Sequence, residues 1–288
     1  MSTMINATQN ELRKIFWRPK YWILLIVYAL IGLGAGMIGA LGNNLGTIAG
    51  FLLSERGPDA LYISLTVYRS LLIPLAIFML SADVFTHELE SKSIKCALIR
   101  PVSRFDIYLS KCLAIFLYCA IALGVGFVVV ATKQVVSSIL APSLISSAIN
   151  TITSPSIGGI GGGGIGSSIR SPSALSTAAM IGEAFVSYML TLAPITAYVA
   201  FAAFFAVLIH SPALVMFLCI VSYIALSFFS TFNTSAGAAI FTTYSGWYRM
   251  WLGYQLPWRS LLTTAGVLLS TCVAFFGFGY FIFDKKDI

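Results

Sequence analysis

Charge is what this sequence has least of. Asp, Glu, Lys and Arg make up 9% of its 288 residues and hydrophobic residues 58%, whereas a soluble domain carries roughly 25% charged residues. With a mean hydropathy of +0.92, the chain cannot hide its apolar side chains in one core, and its solvent is a bilayer. Acidic residues are scarcer still, ten against seventeen basic, for a net charge of +7. In a membrane chain such an excess belongs to cytoplasmic loops. No basic cluster has a recognition motif around it, so no nucleic acid is expected as a partner. Histidine occurs twice, at His87 and His210. The stretch HELES has Ser91 where a zinc protease needs its second histidine. No serine, histidine and carboxylate share a membrane depth, so no catalytic residue and no metal ligand is expected. The five cysteines, Cys96, Cys112, Cys119, Cys219 and Cys272, form no C-x-x-C pair and read as small apolar filler.

Glycine, by contrast, is locally abundant. SPSIGGIGGGGIGSS, beginning at Ser154, contains a near match to a phosphate-binding loop from Gly161 to Ser168, but Ser167 stands where the lysine belongs. Its place in the chain settles its role. Six stretches are long and apolar enough to cross a bilayer as helices, near Trp22–Leu41, Leu61–Ala82, Ile107–Ala131, Phe185–Ile209, Ala213–Phe232 and Leu261–Phe283. Eleven lysines and arginines fall on the side that holds both termini and five on the other, which makes both termini cytoplasmic. The glycine run then lies outside, in a flexible loop of low complexity over 132–182, away from cytosolic nucleotide. The fold class expected is an all-α integral membrane protein, one transmembrane domain over 1–288.

Ahead of the first span, Ile5, Thr8, Leu12, Ile15 and Phe16 recur at helical spacing while Asn6, Asn10, Arg13 and Lys14 turn the other way. Residues 1–21 therefore read as an amphipathic helix in the inner headgroup layer, broken at Arg18-Pro19. After the second span, residues 83–106 form a cytosolic segment. It holds a short helix with Phe85, Leu89, Cys96 and Ile99 on one side and acidic Glu88 and Glu90 ahead of basic Lys92 and Lys95. Pro101 ends it, and Arg104 and Lys111 flank the entry to the third span.

The succession HELESKSIK, RPVSR and IYLSK, with NELRKIFWRPKYW at Asn10–Trp22, resembles the type-2 ATP-binding-cassette exporter permeases. Lys92 departs from the family's common glycine, and the glycine loop is no family feature. The resemblance implies a permease subunit in a bacterial or archaeal cell membrane. It pairs with a second copy or paralogue and with a cytosolic ATPase that holds the ATP and magnesium, so the chain carries no cofactor of its own. It further implies that Glu88, Glu90, Lys95, Arg100, Pro101 and Arg104 couple that ATPase to the membrane helices. A stand-alone secondary transporter or channel is the alternative. Ionisable groups near the bilayer centre or paired broken helices would mark one, and neither stands out.

Three further residues are candidates for pathway or dimer contacts. Gly32 and Gly36 in GLGAGMIGA let another backbone approach, within the chain or from a second copy. Arg69 falls in the outer third of the second span, facing a pathway or snorkelling to the surface, with Glu183 as a candidate partner. The external loop 233–260 is rich in aromatics (Tyr244, Trp247, Tyr248, Trp251, Tyr254, Trp258), which suits anchoring at the membrane interface.

Overall fold

The computed structural model describes residues 2–42, 60–86, 103–140, 177–209, 211–232, 237, 239–250 and 258–285. Among them there is no strand, and five helices are long and apolar enough to cross a membrane, or six when the bent pair at the N-terminus is counted. The protein is an all-α integral membrane protein. Helix α1 spans Ser2–Phe16 and α2 Pro19–Gly42. The next rod, α3 (60–86), joins Ala60–Val67, a π turn at Tyr68–Leu72, Ile73–Ser81 and a second π turn at Ala82–Thr86. Helix α4 is Arg104–Leu140, α5 Thr177–Leu208, α6 Pro212–Phe232 and α7 Trp258–Lys285, with a 3-10 helix at Phe241–Met250 before α7. Two spans are longer than the sequence suggests: α4 runs on past Ala131, and α5 begins before Phe185. Apolar content marks where a helix meets hydrocarbon, not where its backbone bonds stop, and Lys133 and Gln134 are as comfortable in a helix that leaves the bilayer as in a loop.

Local chemistry explains the breaks. Pro19 has no N–H and forces Arg18 out of helical geometry, so it starts a new helix, and α2 leaves α1 at 79°. Trp22 Nε1 donates to the Phe16 carbonyl at 2.8 Å, satisfying the exposed end of α1. In α3, Pro74 cannot donate to the carbonyl of Ser70, and the first π turn precedes it. The Tyr223 hydroxyl of α6 donates to that Ser70 carbonyl at 3.1 Å, so a defect in one span becomes a bond to another.

The termini of successive spans meet at two ends of the bundle. At the basal end lie α1, the start of α2, the end of α3, the start of α4 and the end of α7; at the distal end lie the start of α3, the start of α5 and the 3-10 helix. Helices α4 and α5 are central, α4 packing on α1, α2 and α5, and α5 on α7 and the 3-10 helix. Ala197, Ala200, Ala202, Ala203 and Ala206 of α5 are all buried, since small side chains let neighbouring helices come close without any hydrophobic drive from lipid. Tyr68 plays the opposite part. Its ring is wedged between α2 and α4, and its hydroxyl donates to the Tyr28 carbonyl at 2.7 Å. A Cβ on Gly32 would lie 2.7 Å from the Tyr68 hydroxyl, and one on Gly126 would lie 2.6 Å from its ring, so both positions need glycine.

Candidate functional site

The basal end gathers a cluster of ion pairs. The second π turn carries Asp83, and the elbow between α1 and α2 brings three donors to it. Tyr21 Oη and Lys20 Nζ both bond Asp83 Oδ2, and Arg18 Nη1 lies 3.8 Å from the same oxygen. Tyr21 is itself fixed, because Tyr118 of α4 donates to its carbonyl at 2.7 Å.

One residue further along in the second π turn is the Val84 carbonyl, an acceptor that draws a side-chain donor. Lys111 of α4 supplies one. Its Nζ lies 3.1 Å from the Val84 carbonyl oxygen and 3.5 Å from Glu11 Oε2 of α1, and it sits 5.8 Å from the centre of the Phe85 ring. At 1% exposure this ammonium is buried, which is tolerable only with acceptors around it. Lys14 holds the other oxygen of Glu11 at 2.7 Å. The pair thus ties α1 to α3 through α4.

The start of α4 is secured too. Ser103 caps α4, its Oγ accepting the Asp106 N–H at 3.0 Å. Arg104 Nη1 donates to the Asp284 carbonyl near the end of α7 at 2.6 Å, where a helix C-terminus offers unpaired carbonyls and a negative dipole end. The residues on either side of 87–102 are thus both bonded to other helices.

Of the residues singled out in the sequence, Glu88, Glu90, Lys95, Arg100 and Pro101 lie outside the described residues, as do most of the segment 83–106 and of the glycine loop. Arg104 is the α7 anchor just described. Gly32 packs inside the chain against Tyr68 and Val130, the intramolecular of its two readings; the surroundings of Gly36 are outside the described residues. Arg69 points into the distal end, where its Nη1 donates to Ser245 Oγ at 3.2 Å and its guanidinium lies 5.7 Å from the centre of the Tyr248 ring. The aromatic element differs from an interface anchor. Phe241 and Tyr248 of the 3-10 helix are buried, Phe241 against Tyr198, Phe201 and Phe275, while Trp258 at the start of α7 is exposed. Trp251 and Tyr254 are outside the described residues. In the sequence Asp83 only opens the segment 83–106 and Lys111 only flanks the third span. The available signal was an ionisable residue at the last turn of one span and another inside the first turns of the next.

The family described as ABC-2 family transporter protein matches residues 5–288. No curated protein matches the chain.

Proposed function

The chain belongs to the ABC-2 transporter family, and from that premise we propose that it is the permease subunit of an exporter whose ATPase is a separate cytosolic protein. A membrane component of this family is a permease of an ATP-binding-cassette transporter. In the finer reading the basal end faces the cytoplasm, two permease chains enclose the path, and ATP-driven closure of the ATPase pair presses on residues 83–106. ATP and magnesium bind the partner, and this chain hydrolyses nothing.

One observation carries the reading: both edges of that segment are bonded into the bundle. Asp83 and Val84 are held by α1, α2 and α4, and Arg104 is held by α7. A push on the segment is therefore delivered to five helices rather than absorbed by a slack loop. The buried Lys111 makes the joint stiff, because moving Val84 away from it would strand a charge. A stand-alone carrier would have no need for such a joint at the end of the bundle.

The test uses the chain co-expressed with its ATPase and reconstituted in vesicles. Glu88→Lys or Arg100→Glu is expected to leave membrane insertion and ATP turnover in place while transport falls at least tenfold. Intact transport in both variants, or transport by the purified chain with no ATPase present, would remove the proposal.

A further inference from the structure

We infer that α3 is hinged at its first π turn and that the hydroxyl of Tyr223 on α6 is the latch that holds the hinge closed. At this turn the Ile73 N–H reaches back five residues to the Tyr68 carbonyl, which makes the coil wider than an α-helix and its ladder irregular. Pro74 follows at once, with no N–H for the Ser70 carbonyl four residues before it. Water cannot stand in, because the joint lies inside a span and Leu71 and Leu75 around it are exposed to acyl chains. The hydroxyl of Ser70 itself is occupied, its Oγ donating to the Thr66 carbonyl at 2.7 Å. The missing donor comes from another helix, Tyr223 Oη lying 3.1 Å from the Ser70 carbonyl oxygen.

The two halves of α3 are clamped to different neighbours. On the distal side, Ser64 Oγ shares a bond of 2.8 Å with Tyr188 of α5, and Tyr68 Oη donates to the Tyr28 carbonyl of α2 at 2.7 Å. On the basal side, Asp83 is bonded to Lys20 and Tyr21, and the Val84 carbonyl to Lys111 of α4. Relative motion of the two ends of the bundle is therefore concentrated between Tyr68 and Pro74, where the helical ladder is interrupted. The latch sits on a lightly held helix. In its most apolar stretch 11% of α6 is buried, with Val215 and Cys219 facing the bundle. The Tyr223 ring stands edge-on to Phe78 of the basal half of α3 at 6.0 Å and to Tyr198 of α5 at 5.9 Å. A shift of α6 away from α3 withdraws the donor, leaves a carbonyl in hydrocarbon without a partner, and frees the hinge.

The hinge does not depend on the ATPase reading, and it can be tested on the purified full chain in lipid nanodiscs by hydrogen exchange. Tyr223→Phe keeps the ring and removes the donor. Exchange across residues 68–76 should rise about fivefold, as for the loss of one hydrogen bond, while the second π turn at Ala82–Thr86 stays unchanged. The Tyr223 oxygen also meets the hydroxyls of Tyr198 and Ser227, and a second background separates those contacts from the latch. Pro74→Ala returns an N–H to the Ser70 carbonyl, so adding Tyr223→Phe to it should change exchange across the joint by less than about twofold. Wild-type exchange in Tyr223→Phe, equal acceleration at both π turns, or a larger effect of Tyr223→Phe in the Pro74→Ala background would overturn the inference.

Discussion

The two ends of the bundle are held by different chemistry. At the basal end the bonds are ionic and directional: Asp83 with Lys20 and Tyr21, Lys111 with Val84 and Glu11, Arg104 with Asp284. At the distal end hydroxyls and rings predominate, beside an exposed bond of 2.5 Å from Lys133 Nζ of α4 to the Leu33 carbonyl of α2. Ser64 and Tyr188 share a hydrogen bond of 2.8 Å, Phe241 nests among aromatic neighbours, and Arg69 rests on Ser245 and Tyr248. A buried charge bonded to a backbone carbonyl cannot slide without losing its acceptor, whereas aromatic faces tolerate small shifts over offset and edge-on arrangements. The comparison teaches that the basal end is built as a joint and the distal end as a packed face able to re-pack. Under the proposed function, that distribution suits a bundle pushed at its basal end.

Three substitutions sharpen that contrast, in falling order of effect. Lys111→Met keeps roughly the length of the side chain and removes its charge, leaving the Val84 carbonyl without its lysine donor and Glu11 without its contact to the buried ammonium. Breaking one side of such a buried set costs about 3 kcal/mol. The melting temperature of the detergent-solubilised chain, followed by size exclusion after heating, should drop clearly, and an unchanged curve would mean that the basal end is not a stiff joint.

Arg69→Gln removes one charge-assisted bond to the 3-10 helix, a loss of about 1.5 kcal/mol. It should show less in global melting than in faster hydrogen exchange across Phe241–Met250, with the basal end of α3 unaffected. Equal acceleration at both ends would erase the distinction drawn between them. Smallest is Phe228→Leu on α6, where the ring is 62% exposed. Facing lipid, it should change stability by no more than about 0.5 kcal/mol; a larger loss would place a protein surface against α6.

Lipid exposure also explains what reading the sequence could and could not reach. In their most apolar 18-residue stretches α3 and α5 have 72% and 67% of residues buried in the protein, while α6 and α7 have 11% and 17%. Hydropathy does not separate them, because acyl chains are as apolar as a protein core. The periodicity that betrays the buried face of a soluble helix is therefore faint in this chain, except in α1, where one side meets water.

By itself the sequence determined the elements. In hydrocarbon each segment must satisfy its own backbone, so the positions of the spans, the break at Arg18-Pro19 and the amphipathic α1 follow from local composition alone. It also carried the family, through motifs in consecutive residues. Only the tertiary structure decided which polar groups meet. Lys111 and Val84 are 27 positions apart, Tyr21 and Asp83 62, and Glu11 and Lys111 100. Nothing in local pattern distinguishes a lysine that flanks a span from one buried beneath a neighbouring helix. Packing chose between them, since the free energy of a charge depends on which acceptors the other helices bring to it.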